Sequence, residues 1–315
     1  MKIAEIRFLE QKEEAVLPKG VRLLPKGLQT KYIECCKPWY IRKEGNRLRA
    51  VLQTDTECGM AHLWRGHARR LLEQLKKEEA AIVIPPLEGE LPRDVLPFSQ
   101  GRRLMGLMAG EGAAEALRRR GKEPAACRYL LAGGTEAQWR LALLSAGNEV
   151  NQLSLFTDVP AAAEDFLQEL YAERGLAAEV FSSAGNSLFR QADVVLCCGM
   201  EQHPYAYMLG EGAVFLDLPG NRPVLRKLLT ERRDVLAADG FFFRREEQQM
   251  EGRQAEAEAY LTCPALRKRW LTAEANTGEM LQQVKAQGYS VSGFSVMGRR
   301  VKGVRHSASS AFYGK

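Results

Sequence analysis

The stretch Arg128–Ala146, RYLLAGGTEAQWRLALLSA, decides the fold. It begins with an apolar run that ends at Ala132, turns through Gly133-Gly134, and continues with a helical pattern from Thr135. A short apolar strand, a glycine turn and a helix in direct succession are the first half of a βαβ unit. The stretch therefore predicts a strand of a parallel sheet followed by a helix that packs on that sheet.

The same alternation continues along the second half of the chain. Further strands are predicted over Gln152 to Phe156, Ala178 to Phe181, Asp193 to Cys198, Ala213 to Leu218 and Val235 to Ala237, with helices over Ala161 to Arg174 and Pro223 to Glu231. Strands that alternate with helices in this way give βαβ units. The prediction is an α/β fold with a Rossmann-like, doubly wound parallel sheet, which binds ligands at the carboxyl ends of its strands.

The first half predicts a smaller mixed α/β domain. It holds strands over Lys2 to Leu9 and Ala81 to Ile84, a hairpin around Glu44-Gly45-Asn46, and helices over Ala61 to about Glu79 and Gly101 to Arg120. The expected division is residues 1–121 for this domain, 122–245 for the Rossmann-like domain, and 246–315 for helices and a basic tail that pack back on the first domain. A polar helix from about Glu247 to Leu261 opens that last part, and a Gly-, Ser- and Lys/Arg-rich end follows Gly288.

Composition limits the classes of function. The 315 residues are 45% hydrophobic and 27% charged, which is typical of a globular protein with two domains. Seven cysteines without a CxxC pair predict free thiols and no metal site. No apolar run suits a membrane span or a signal peptide, so a cytoplasmic location is expected. The net charge of +6 permits nucleic acid as a partner, but the basic residues are spread widely and no nucleic-acid motif accompanies them. A small-molecule ligand is therefore the expected partner.

The loop Ala132-Gly133-Gly134-Thr135 is the first candidate site. Glycine at this position permits a tight turn and lets a pyrophosphate approach the N–H groups of the following helix. Aligned to the pattern GxGxxA, the loop keeps Gly134 and Ala137 but has Ala132 in the first position. A helix entry that needs glycine only for close packing gives the same sequence, so both interpretations stay open.

Asp158, which follows the second strand of this domain, is the candidate ribose ligand. A carboxylate there accepts hydrogen bonds from a ribose diol and repels a 2′-phosphate. The cofactor prediction is accordingly NAD or NADP, with NAD favoured. The same placement also suits S-adenosylmethionine, and a surface aspartate is the plain structural alternative.

Cys197, Cys198 and Gly199 end the fourth strand of this domain, where a nicotinamide would pass. A thiol there becomes a nucleophile if a cation such as protonated His203 lowers its pKa. Packed thiols, with His203 only shaping a loop, are the alternative reading. The sequence does not identify a catalytic acid or base.

Three motifs late in the chain carry a family resemblance. They are FLDLPGNRPVL at Phe215–Leu225, VLAADG at Val235–Gly240 and QAEAEAYLT at Gln254–Thr262. On these motifs the second half resembles the cofactor domain of shikimate dehydrogenases and, more distantly, glutamyl-tRNA reductases. By this resemblance, Gln254 falls near the position at which the family has a glutamine that touches substrate.

The chemistry of that family is absent from the first half. The resemblance implies a catalytic lysine after a strand ending in proline, but Pro85-Pro86-Leu87-Glu88 stands there. It also implies an aspartate just before the helix that leads into the cofactor domain, where Ser99-Gln100-Gly101 stands. Shikimate dehydrogenase activity itself is therefore not expected, and Gln100, His203 and Gln254 are predicted as substrate contacts.

These observations leave three hypotheses. The favoured one is a divergent NAD(P)-dependent oxidoreductase that acts on a small polar metabolite in a cleft between the domains. The second is a Rossmann-like binding or regulatory protein without dehydrogenase chemistry, since a fold does not fix a function. A methyltransferase is the least favoured, because a terminal antiparallel hairpin is not predicted.

Overall fold

The structure is a computed structural model, which describes residues 1–8, 17–36, 39–53, 61–86, 91–92, 94–147, 150–183, 186–199, 205–271 and 277–301. The strands are β1 (Lys2–Phe8), β2 (Trp39–Glu44), β3 (Arg47–Leu52), β4 (Ala80–Ile84), β5 (Arg128–Ala132), β6 (Gln152–Phe156), β7 (Glu179–Phe181), β8 (Val194–Cys197), β9 (Val214–Asp217), β10 (Leu236–Ala238), β11 (Gly240–Arg245), β12 (Gln248–Glu251), β13 (Tyr289–Val296) and β14 (Arg299–Arg300). The helices are α1 (Lys19–Arg22), α2 (Lys26–Cys36), α3 (Ala61–Lys77), α4 (Arg102–Leu107), α5 (Ala109–Arg119), α6 (Glu136–Ala146), α7 (Pro160–Arg174), α8 (Asn186–Gln191), α9 (Tyr205–Met208), α10 (Arg222–Glu231), α11 (Gly252–Thr262), α12 (Pro264–Leu271) and α13 (Thr277–Ala286).

The chain divides into two compact units. The first unit comprises Met1–Gln100 and Arg253–Ala275, and the second comprises Gly101–Gly252 and Asn276–Lys315. The chain therefore leaves the first unit after residue 100 and returns to it at residue 253. Among the described residues, no helix is both long enough and apolar enough to cross a bilayer.

The first unit is built on a four-stranded sheet in the order β2-β3-β1-β4. The hairpin β2–β3 is antiparallel, as its Gly-Asn turn predicts, and β3, β1 and β4 run parallel. Leu71, Leu72 and Leu75 of α3 pack in the core of this sheet, which confirms the amphipathic helix. A separate cluster joins Ile3 and Ile82 to Ala257 and Tyr260 of α11.

The second unit contains the parallel sheet predicted from Arg128–Ala146. Its six strands lie in the order β7-β6-β5-β8-β9-β10, and every neighbouring pair is parallel. Counted along the chain, this is the 3-2-1-4-5-6 order of the Rossmann fold. The fold prediction is therefore confirmed by the topology of the chain itself.

A second sheet in this unit corrects the sequence analysis. Strands β12-β11-β13-β14 form an antiparallel sheet. The polar helix expected from Glu247 begins only at Gly252, because Gln248–Glu251 pair with β11. The Gly- and Ser-rich segment after Gly288 begins with β13, whose alternate residues are buried against the rest of the unit. Both segments are rich in polar or small residues, so the alternation of buried and exposed side chains in these strands was not predicted from the sequence.

Close backbone approaches explain the glycines around residues 101–112. The helix predicted there is two helices, α4 and α5, which meet at Met108. A Cβ on Gly110 would lie 2.2 Å from the carbonyl oxygen of Ser145 in α6, so α5 and α6 pack backbone to backbone. Gly101 and Gly252 are the first and last residues of the longer segment of the second unit. They also lie close together, since a Cβ on Gly252 would lie 3.9 Å from the Cα of Gly101.

Candidate functional site

The glycine turn lies where the order of the parallel sheet reverses. Strand β5 is central and pairs with β6 on one side and β8 on the other. The turn Ala132–Thr135 follows β5, and Cys198-Gly199 follow β8, so both segments lie at the same carboxyl edge. This edge, beside the point of reversal, is where open α/β sheets bind ligands.

Both glycines of the turn adopt conformations that favour glycine, and one is packed against β8. Gly133 has φ 67° and Gly134 has φ 88°. A Cβ on Gly134 would lie 2.6 Å from the carbonyl oxygen of Cys198, and a Cβ on Gly199 would lie 2.8 Å from the Cα of Gly134. Packing within the protein therefore requires glycine at 134 and 199, whether or not a ligand is bound.

The N-terminus of α6 is partly covered by its own side chains. The Oε1 atom of Gln138 accepts from the N–H of Thr135 at 2.8 Å and lies 2.9 Å from its Oγ1. Among the described residues, none accepts a hydrogen bond from the N–H groups of Gly134, Glu136 or Ala137. Three donors thus stay open for an anion.

Glu136 is less of an obstacle to an anion than its sequence position suggests. Its carboxylate pairs with Arg140 one turn along α6, at 2.6 Å, and both side chains are partly exposed. The neighbouring guanidinium offsets part of the negative potential that the carboxylate adds at the helix N-terminus. The repulsion that Glu136 exerts on an anion at the open N–H groups is therefore reduced.

Asp158 lies at the same carboxyl edge of the sheet as the glycine turn. It is exposed and lies two residues beyond the end of β6, next to the buried Thr157. Thr157 fixes this turn, because its N–H donates to the carbonyl of Phe181 at 3.0 Å and its hydroxyl accepts from the N–H of Val159. The strand β6 carrying Asp158 is the direct neighbour of β5, so the carboxylate and the glycine turn share one edge.

The thiols of Cys197 and Cys198 are not placed for nucleophilic chemistry. Cys197 is 2% exposed in the core beside Leu130 and Phe215, and Cys198 is fully buried. Burial raises the pKa of the Cys198 thiol far above its usual range. A buried, protonated thiol is a poor nucleophile. His203, the proposed activating residue, lies outside the described residues.

A cluster of charged residues, which the sequence did not predict, lies at the ends of β9 and β10. The carboxylate of Asp217 is buried and accepts from the N–H groups of Gly220, at 3.1 Å, and Asn221. Arg102 donates to the carbonyl oxygens of Asp217 and Asp239 and lies 3.5 Å from the Asp239 carboxylate. Burial raises the pKa of Asp217 to about 6, although the two N–H donors and Arg102 oppose the rise. The Asp217 carboxyl group therefore keeps its proton to a higher pH than an exposed aspartate does.

In the first unit, Gln100 and Gln254 are both tied to the region of α11. The N–H of Gln100 donates to the buried Glu256 carboxylate at 3.0 Å, and the Ser99 hydroxyl donates to the carbonyl of Arg253 at 2.5 Å. The Gln254 amide contacts Glu258 at 3.3 Å. The structure thus gathers both predicted glutamines around one helix.

Two charged side chains stand at the stretches where the resemblance implied a lysine and an aspartate. The guanidinium of Arg253 donates to the carbonyl of Pro85 at 3.1 Å. The Glu256 carboxylate contacts Ser99 and Gln100. Both residues come from α11, more than 150 positions away in sequence, so no local motif signals them.

Comparisons with known proteins place the chain far from characterised relatives. No protein-family model matches it, and no curated protein does. Among solved structures, an NAD complex of the iminosuccinate reductase of Paracoccus denitrificans is 16% identical, covers 36% of each chain and has a TM-score of 0.27. The chain thus spans about a third of that reductase.

Longer matches are equally remote. Shikimate 5-dehydrogenase from Listeria monocytogenes, in complex with shikimate and NAD, is 11% identical over 89% of this chain and 95% of that one, with a TM-score of 0.35. L-tryptophan dehydrogenase from Nostoc punctiforme is 12% identical over 90% and 78%, with a TM-score of 0.38. Similarity at this level says nothing about activity, and the fold assignment rests on the strand order of this chain.

Proposed function

We propose that the second unit binds a nicotinamide dinucleotide and that the protein is a divergent oxidoreductase acting on a small polar metabolite. The observation that carries the proposal is the glycine turn with three open N–H donors, located where the 3-2-1-4-5-6 sheet reverses its order. That location combines a helix N-terminus with the ligand-binding edge of the fold.

The residues at this edge fit the parts of a dinucleotide. The N–H groups of Gly134, Glu136 and Ala137 would hold the pyrophosphate, with Gly133 and Thr135 shaping the turn. Asp158 would accept from the ribose diol, which favours NAD over NADP. Gly199 would border the nicotinamide side with Cys197 and Cys198, which offer only backbone groups because their thiols are buried. The cofactor, when bound, supplies hydride transfer.

Gln100, Gln254 and His203 are the proposed polar contacts to the metabolite. The Gln100 side chain is exposed while its backbone is fixed by Glu256, so the amide group is presented from a rigid point. Arg253 and Glu256 act as positioning residues in this proposal, because they fix Pro85 and Ser99-Gln100. No catalytic acid or base is assigned.

A second candidate, a binding or regulatory protein without a dinucleotide, is favoured by one observation. Gly134 is fully accounted for by its contact with Cys198, and Gln138 already occupies the Thr135 N–H. A helix entry whose glycine is required by packing, and whose first N–H is already bonded within the helix, forms without a ligand. The two candidates differ in whether NAD binds at the N-terminus of α6.

Calorimetric titration with NAD and NADP tests the choice through one substitution. Ala137 is exposed in the first turn of α6, so Ala137→Asp adds a carboxylate where the pyrophosphate would lie, while suiting the helix dipole. We expect NAD to bind the native chain and the affinity of Ala137→Asp to fall by at least about tenfold through charge repulsion.

The matched control is Ala161→Asp, which adds the same charge at an exposed position in the first turn of α7. It should leave NAD affinity unchanged. Asp158→Arg should shift preference from NAD toward NADP, because the new cation attracts the 2′-phosphate. If the folded native chain binds neither dinucleotide, the second candidate replaces the first.

A further inference from the structure

The second unit has a hollow beside α8 on its parallel sheet, and most of the lining residues lie near the amino ends of the strands. It has a volume of about 630 Å3 and is lined by the starting residues of β5, β6 and β7 together with α8. Cavities of this size commonly hold small molecules. None of its lining residues belongs to the glycine turn or is Asp158, although Phe181, the last residue of β7, extends the hollow toward that edge.

The hollow exists because a short helix covers a wide stretch of sheet. Strand β7 is followed by α8, which has only six residues. Leu130, Phe181 and Leu188 belong to one cluster on this face, but Phe181 and Leu188 are only partly buried. An aromatic ring and a leucine therefore form an apolar floor that the protein leaves partly uncovered.

Polar side chains continue the same face toward the amino ends of the strands. Because side chains alternate along a strand, Arg128 lies on the side of Leu130, Gln152 and Ser154 lie together, and Glu179 lies on the side of Phe181. All four line the hollow. Each strand thus presents polar groups at its start and apolar groups farther along.

Two glutamines hold the exposed side chain of Arg128 in place. Its Nε and Nη1 atoms each donate at 3.2 Å, to the side-chain oxygens of Gln152 and Gln191. Its backbone N–H donates to Asp193, whose carboxylate is paired with Lys122 at 2.5 Å. Among the described residues, none binds the Nη2 atom, so the guanidinium keeps a donor for a ligand.

Glu179 supplies an acceptor on the other side of the hollow. In register, Arg128 pairs with Gln152, and Ser154 pairs with Glu179. Two strand spacings and a two-residue offset place the Cα atoms of Arg128 and Glu179 roughly 12 Å apart. A single ring with a carboxylate at one end and a hydroxyl at the other fits between the two side chains.

We propose that this hollow is a second ligand site, specific for a small aromatic or cyclic hydroxy-carboxylate. The carboxylate binds Arg128, the hydroxyl donates to Glu179, and the ring between them lies over Ser154, with Phe181 and Leu188 at its edge. The site is independent of the proposed dinucleotide function, since it uses no residue of the glycine turn.

The test is a titration of the full chain with 4-hydroxybenzoate, monitored by calorimetry and by ligand-observed NMR. Saturable binding is expected, weakened at least about tenfold in Arg128→Gln through loss of a charge-assisted hydrogen bond. Ser154→Leu should abolish binding by filling the hollow. Benzoate, which lacks the hydroxyl, should bind the native chain more weakly than 4-hydroxybenzoate.

Controls separate this site from the rest of the unit. Arg233→Gln removes an exposed cation elsewhere in the second unit and should leave the affinity unchanged, as should Ala137→Asp at α6. Thermal unfolding of each variant checks that the fold persists. Equal affinities of the native chain and a folded Arg128→Gln, or no saturation at concentrations up to about 20 mM, would overturn the proposal.

Discussion

Asp217 has a buried carboxyl group at the carboxyl end of β9. It holds the N–H groups of Gly220 and Asn221 and thereby fixes the loop that leads into α10. Its pKa lies near 6, chiefly because of burial, against an ordinary value of 3.8. The folded state thus favours the protonated form of this group.

This pKa predicts how stability changes with pH. The contribution of Asp217 to the free energy of unfolding is complete below about pH 4 and is lost as the pH rises through about 6. Between these limits the native chain should lose up to about 3 kcal/mol relative to Asp217→Asn. Urea unfolding of both proteins from pH 4 to 7 measures the difference in slope, and Asp158→Asn, at an exposed site, serves as control.

Gly134 gives a second test on a single residue. Gly134→Ala places a Cβ 2.6 Å from the Cys198 oxygen at φ 88°, so both a clash and backbone strain are expected, together at least about 2 kcal/mol. Gly175→Ala has a similar φ of 69° but open space around the Cβ. It should lose only about 1 kcal/mol. Equal losses in urea unfolding would mean that the turn is not packed on β8.

Single residues also show which parts of the candidate site could be predicted from the sequence. Asp158 and the glycine turn were identifiable because they directly follow apolar strands. Arg102 and Asp217 are 115 positions apart, and Ser99 and Glu256 are 157 apart, so neither contact has a local pattern. The burial of Cys197 and Cys198 depends on the packing of the whole sheet, so the short sequence around the two cysteines does not predict it.

Helix α5 is constrained by the close approach of the α6 backbone. Alanine normally stabilises a helix relative to glycine by up to about 1 kcal/mol. For Gly110→Ala the sign should reverse, because the new Cβ would lie 2.2 Å from the Ser145 oxygen of α6. A loss of about 2 kcal/mol or more is expected.

The matched substitution is Gly27→Ala in α2, where no atom lies within 4 Å of the new Cβ. It should be neutral or stabilising. Chemical unfolding of both variants measures the sign of each change in the free energy of unfolding. Stabilisation by Gly110→Ala would contradict the close packing of α5 on α6.

The strands and helices of the parallel sheet were predictable for a physical reason that the antiparallel sheet lacks. Strands such as β5 and β8 are buried on both faces and therefore read as continuous apolar runs. Strand β12, QQME, has one buried residue and two exposed ones, so its polarity resembles a helix surface. Pairing with β11, rather than its own composition, makes it a strand.

For the molecule as a whole, the first unit depends on two separated segments. Ile3 and Ile82 pack against Ala257 and Tyr260, which arrive on α11 only after residues 101–252 of the second unit. Residues 1–100 alone would expose this apolar cluster to water. We expect that fragment to lack fixed tertiary packing, as judged by near-ultraviolet circular dichroism and NMR dispersion.

A fusion of residues 1–100 to 253–275 through a short glycine linker should restore packing in the first unit, since it returns α11 to the same chain. The control fusion carries Tyr260→Asp, which puts a carboxylate into the cluster. A well-packed fragment 1–100, or a control that folds as well as the fusion, would contradict the two-segment description.

The adjacency of Gly101 and Gly252 bears on where the chain could be cut and rejoined. The stretch between them leaves and returns at nearly one point, since a Cβ on Gly252 would lie 3.9 Å from the Cα of Gly101. A peptide linker of a few residues is long enough to join these two positions, so residues 101–252 could be closed into a ring and opened again at an exposed loop, as circular permutation requires.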